Sequence, residues 1–121
     1  MIIAITAAGP TMDGSFDQHF GRAPYFVIVD SETEKVIKDY DNVQNLQAVQ
    51  GAGVESAKVM VDFDVEVVLT GHVGPKALDV LKMGNINAYK VDAVLVKEAL
   101  AKYKEKNVSS IHEADVRGHW A

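Results

Sequence analysis

Val65-Glu66-Val67-Val68-Leu69-Thr70-Gly71-His72-Val73-Gly74-Pro75 decides the fold of this 121-residue chain. Val65–Leu69 is an apolar run broken only by Glu66, the pattern of a strand covered on both faces. The Gly71–Gly74 stretch turns the chain, and Pro75 suits the first position of a helix, where a missing N–H is no loss. Ala77, Leu78 and Leu81 then give that helix an apolar stripe as far as Met83-Gly84. A buried strand that turns directly into a helix is one unit of an α/β sheet.

The same periods extend outward. Upstream, a helix begins near Gly51, with Val54, Ala57, Met60 and Val61 on one face and Glu55, Lys58 and Asp62 off it. Downstream, Asn87–Val91 is a short strand and Asp92 suits the N-cap of a last helix, where Val96, Ala99, Leu100 and Tyr103 share a face. Before Gly51 come Ile2–Thr6, a β-branched strand ending at Ala7-Ala8-Gly9-Pro10, and Tyr25–Asp30, a second strand. Ser31–Glu34 form a turn, and Lys35–Asn42 alternate well enough for an edge strand. Residues 9–22 read as a long polar loop with little to bury, residues 43–50 lack a period, and residues 107–121 read as a tail.

The resulting order, β-β-β-α-β-α-β-α, predicts a five-stranded mixed sheet in the order 3-2-1-4-5 with helices on both faces. That is the ribonuclease H-like three-layer arrangement. One domain is expected over residues 1–106, followed by a C-terminal tail over 107–121.

Composition removes several classes of function. Hydrophobic residues at 48% and charged residues at 24% exclude general disorder. A net charge of −5 repels polyanions, so no nucleic-acid partner is expected. Cysteine is absent, which removes disulfides, thiolate nucleophiles, cysteine zinc sites and cysteine-ligated clusters. No segment reaches the ~18–20 apolar residues of a membrane span, and the apolar start lacks a basic region ahead of it. A cytoplasmic protein without a membrane partner is expected.

In this topology strand 1 and strand 4 are parallel neighbours whose carboxyl ends share one rim, where open α/β sheets hold ligands. The loop after strand 1 brings His19 and Arg22 there, and the loop after strand 4 brings His72. His19 reads as a metal ligand or base on a long loop, or as a loop histidine that fixes backbone. Gly71-His72-Val73-Gly74 reads as an anion site at a helix N-terminus or as a structural turn, and Gly51-Ala52-Gly53 admits the same two readings. Arg22 reads as a ligand for anionic atoms or as a partner of Asp17 or Asp30.

The carboxylates do not suit a two-metal nuclease, since the central strands carry only Glu66, at the entry end. No G-x-S-x-G elbow accompanies Ser15. His112, His119 and Trp120 fall in the expected tail.

Three motifs in order carry a family resemblance: His19-Phe20-Gly21-Arg22-Ala23-Pro24-Tyr25-Phe26, Gly51-Ala52-Gly53-Val54, and Val67 through Ala77. Together they make the chain similar to the dinitrogenase iron–molybdenum cofactor biosynthesis family, which includes NifX-type carriers, NifB C-terminal domains and small stand-alone members. The resemblance covers about residues 1–105, and the cysteine-free single domain resembles the stand-alone form. It implies a ribonuclease H-like fold without nuclease activity and transient binding of an iron–sulfur or iron–molybdenum type cluster or precursor; with no nucleophile–base constellation in the chain, a non-enzymatic protein is expected. It also implies donor and acceptor proteins for that metallocofactor. The histidine of the His-Phe-Gly motif is implicated in cofactor binding in such carriers, a role that carries over to His19 as the metal ligand. Phe20, Gly21, Arg22, Gly71, His72 and Gly74 are the further candidate cofactor-binding residues. The alternative expectation is a small-anion or partner-binding regulatory module of the same fold.

Overall fold

The computed structural model describes residues 1–43 and 51–112. One mixed sheet forms its middle layer. Strand β1 (Ile2–Ala7) pairs antiparallel with β2 (Tyr25–Asp30), which pairs antiparallel with β3 (Val36–Asp41). On its other side β1 pairs parallel with β4 (Val67–Thr70), placing Ile3 opposite Val67 and Ile5 opposite Leu69. Strand β5 (Asn87–Lys90) continues the parallel run, and β6 (Ser109–Ile111) closes the edge antiparallel to β5. The order is β3-β2-β1-β4-β5-β6.

The predicted order 3-2-1-4-5 is therefore present, with a sixth strand added. That strand lies in the segment expected to be a tail, and Ile111 is buried with Ala88 in the core. Three residues, two of them serine, carry too little alternation to announce a strand. His119 and Trp120 lie outside the described residues.

Alternation of side chains across the sheet explains the three layers. Ala4, Phe26, Ile28, Val68 and Ala88 face helices α1 (Ala52–Asp62) and α2 (Pro75–Met83), meeting Ala57, Met60, Leu78 and Leu81. Ile3, Ile5, Val27, Val29 and Leu69 face the other way, onto Val96, Ala99 and Leu100 of α3 (Val96–Lys104). Every residue of β4 is buried, as its apolar run requires when both faces are covered.

Local boundaries differ from the sequence expectation for identifiable reasons. Strand β4 starts at Val67 rather than Val65 because the Val65 N–H is used earlier, donating to the Met60 carbonyl at 3.0 Å. Helix α3 is entered at Leu95 rather than Asp92, with Glu98 Oε1 accepting the Leu95 N–H at 2.9 Å. The buried stripe of α1 is Ala52, Ser56, Ala57 and Met60, while Val61 is exposed. Ser56 can turn inward because its hydroxyl lies 3.3 Å from Oδ1 of buried Asn42, so the polar group is satisfied without water. Among the described residues no helix is long and apolar enough to cross a membrane.

Candidate functional site

The rim begins where β1 and β4 end side by side. Near those ends the Thr6 and Thr70 hydroxyls lie 3.0 Å apart, and Thr6 Oγ1 donates to the Asp17 carbonyl. Backbone bonds then lay the 9–22 loop across the top of the sheet. The Asp17 N–H donates to the Thr6 carbonyl at 3.0 Å. The Gln18 carbonyl accepts from the N–H groups of Gly71 and His72 at 3.0 and 2.7 Å. The Phe20 N–H closes the pattern on the His72 carbonyl at 3.1 Å.

Two glycines permit this close approach. A Cβ on Gly71 would stand 2.7 Å from the Gln18 carbonyl oxygen. One on Gly21 would stand 2.7 Å from the Cα of Gly53. Neither backbone could lie where it does with a side chain present. The loop is also far less polar in packing than in composition, since Phe16 and Phe20 are buried. Phe20 meets Phe26 of β2 edge to face, with ring centroids 5.3 Å apart.

These contacts set His19 beside His72 as a short parallel bridge. Both imidazoles are exposed, and their ring centroids are 5.9 Å apart with planes inclined by 35°. Asp17 orients the first of them: its Oδ1 accepts the His19 N–H at 2.8 Å and lies 3.3 Å from His19 Nδ1. A proton on Nδ1 directed at that carboxylate leaves the Nε2 lone pair for a metal.

Beside the pair, a cleft of about 360 Å³ opens between the entrances of α1 and α2. Phe20, Gly21 and Arg22 line it together with the Gly51–Val54 and Gly74–Ala77 segments. Gly51 turns the chain into α1 at φ +84°, a conformation that disfavours a side chain. Neither Gly51 nor Gly74 supplies a side-chain cap, so the first N–H groups of two helices border the cleft with their partial positive charge. Arg22 and Lys76 add two formal charges to the same lining. The cleft suits an anion.

The candidate residues thus divide. Phe20, Gly21, Arg22 and Gly74 share the cleft, His19 and His72 form the exposed pair, and Gly71 stays buried behind that pair against Gln18. The contact of Asp17 with His19 and the place of Lys76 in the cleft are not among the expectations from sequence. An acid two residues before a histidine, able to bond its backbone, was the signal for the first. A lysine at the second position of a Pro-started helix was the signal for the second.

Glu66, Tyr103, Lys82 and His112 lie away from the rim. Glu66 holds the entry end of the sheet, where its Oε2 accepts the Ile2 N–H at 2.8 Å. Tyr103 has its pKa pushed up by burial, with smaller contributions from Tyr89 and Glu66. The His112 carbonyl accepts from Lys82 Nζ. Among the described residues no group of three or more His, Cys, Asp or Glu side chains is placed to hold a metal ion. The donor set is instead two imidazoles beside a positive cleft. Such a set fits a preassembled anionic cluster, which brings its own sulfides and needs few protein bonds.

Comparison with known proteins agrees with the motifs. The family model described as dinitrogenase iron-molybdenum cofactor matches residues 1–106. The apo form of the orange protein from Desulfovibrio gigas is 34% identical, with a TM-score of 0.89 over 95% of this chain and 96% of that one. A NifB-like protein of the DUF35 family from Thermotoga is 25% identical, with a TM-score of 0.83 over 97% and 98% of the two chains. An uncharacterised protein of Methanocaldococcus jannaschii is 29% identical over 98 residues, covering 79% of this chain and 82% of its own length. Motifs, fold and matched span agree, and the chain belongs to the dinitrogenase iron–molybdenum cofactor family.

Proposed function

We propose that this protein is a non-catalytic carrier of an iron–sulfur or iron–molybdenum type cluster, or of its precursor, taken as cargo at the rim. The observation that carries the reading is a ligand-competent imidazole, His19, oriented by Asp17 beside a cleft bordered by two helix N-termini and two cations. His19 supplies a terminal bond to the cluster through Nε2. Arg22, Lys76 and the helix ends hold its negative charge, with Phe20, Gly21 and Gly74 shaping the wall and Gly71 holding the His72 turn in place. Few protein bonds suit cargo that must be handed from a donor protein to an acceptor, and the absence of cysteine suits the same logic. The reading includes a cytoplasmic site of action and the ribonuclease H-like label for the fold.

Anaerobic titration with isolated iron–molybdenum cofactor, and separately with a defined iron–sulfur cluster complex, tests this by absorption and gel filtration. Wild-type protein should co-elute with cluster absorption. His19→Ala should weaken binding about tenfold or more while thermal stability barely moves, because substitutions of exposed side chains usually stay within ~0.5 kcal/mol. Equal affinity of wild type and His19→Ala would remove His19 as the ligand. The second reading, a small-anion module without metal, draws on the cleft alone. It gains if neither cluster binds and inorganic phosphate does, with Arg22→Ala abolishing the effect.

A further inference from the structure

A carrier that uses His19 alone has no need of a second imidazole at a fixed distance, yet the fold supplies one. The backbones of His19 and His72 are held in parallel register, and residues paired across neighbouring strands project to the same side. The His72 position is fixed from both directions, by its N–H on the Gln18 carbonyl at 2.7 Å and by its own carbonyl on the Phe20 N–H at 3.1 Å. The rings consequently stand 5.9 Å apart.

That spacing has a chemical meaning. A metal bonded at about 2.0–2.1 Å to an imidazole nitrogen lies about 3.2 Å from the ring centroid, so two rings sharing it stand at most about 6.4 Å apart. A bent arrangement between tetrahedral and linear falls at the observed separation. Both side chains are exposed, so a cation can reach them from solvent. Asp17, on the Nδ1 side of His19, is the carboxylate that metal-binding histidines commonly carry behind them.

We infer that His19 and His72 form a two-imidazole chelate for a single late first-row divalent cation, with Zn2+ as the simplest case, independent of any cluster. The inference rests on the reading of this rim as metal-facing and adds a second ligand and a second cargo class to it. Neutral imidazole suits Zn, Cu and Ni. Because no third ligand group converges there among the described residues, the remaining positions stay open to water, to sulfide or to a receiving protein's donors. A metal held this way exchanges readily, as cargo must.

Zn2+ titration of the untagged full chain, followed through the imidazole resonances in long-range proton–nitrogen spectra, tests the chelate residue by residue. His19 and His72 should shift together and saturate at one Zn2+ per chain. His19→Ala and His72→Ala should each weaken that site tenfold or more, with circular dichroism confirming that both variants fold. Zn2+ that shifts His19 alone, or His112 and His119 alone, would overturn the inference, as would His72→Ala binding like wild type. The cluster titration separates this result from the carrier reading. Loss of cluster binding in His19→Ala with no Zn2+ effect in His72→Ala leaves the carrier and removes the chelate. Paired Zn2+ shifts with no cluster bound leave the chelate and remove the carrier.

Discussion

The 9–22 loop and strand β3 invert the usual relation between regular structure and burial. Strand β3 has extended geometry and ladder bonds to β2, yet all its residues except Tyr40 are exposed. The loop has no regular element, yet it buries Phe16 and Phe20 and sends backbone bonds to β1, to the His72 turn and to the entrance of α3. At that entrance the Phe16 N–H donates to the Val94 carbonyl at 2.9 Å, and the Val96 N–H returns to the Gly14 carbonyl at 2.9 Å. Regularity of backbone is thus a poor guide to which segment the fold depends on. What a segment buries decides it, and here the segment that carries the candidate ligand is the anchored one.

Removal of the loop's main anchor gives the largest expected effect. Phe20→Ala empties a site that is 1% exposed between Phe26 and the helix layer, and such truncations cost about 3–5 kcal/mol. Urea denaturation measures it. A loss below about 1 kcal/mol would mean that the loop ornaments the sheet rather than belonging to its core.

Gly71→Ala comes next. The new methyl meets the Gln18 carbonyl oxygen, the acceptor shared by Gly71 and His72, so loop and turn must separate. Overpacking of this kind costs about 1–3 kcal/mol. It should also weaken Zn2+ binding, because the two imidazoles lose their register. Unchanged stability and unchanged Zn2+ affinity together would show that the approach of loop and turn tolerates widening.

Much of this fold was legible in the chain because it depends on periodicity. The apolar run into Leu69, the Pro75 start and the stripe of Ala77, Leu78 and Leu81 all stand where expected, and they bring His19 and His72 to one rim as topology requires. The failures are equally physical. Val61 was expected inside α1 and Ser56 was not, because a long-range bond to Asn42 made the serine the better inward residue. Phe16 and Phe20 lie in a stretch whose glycines and charges dilute any average, so their burial was hidden. Asp17 and Lys76 act through position alone, and a lone charge in a polar segment has no period to reveal it.

The ion pair at the tip of the β2–β3 hairpin should count for less. Lys104 Nζ lies 2.6 Å from Glu34 Oε2, and both side chains are at least 36% exposed. Water and salt screen such a pair, so Glu34→Gln should cost no more than about 1 kcal/mol, shrinking further in 1 M salt. Salt-independent loss of a larger amount would mean that the hairpin tip is held as firmly as the rim.

The smallest effect is expected on β3 itself, and it bears most directly on the contrast. Ile37 is 56% exposed, and threonine keeps the β-branched shape that a strand favours while removing apolar surface. With little to bury, Ile37→Thr should change stability by ~0.5 kcal/mol or less. The measurement is best made at two protein concentrations tenfold apart. If β3 is an edge open to solvent, both concentrations give the same small value. A loss above about 1 kcal/mol that grows with concentration would mean that Ile37 is covered by another chain, since an unpaired strand edge is a template for pairing. The exposed strand would then be an interface, and the contrast with the anchored loop would hold only for the isolated chain.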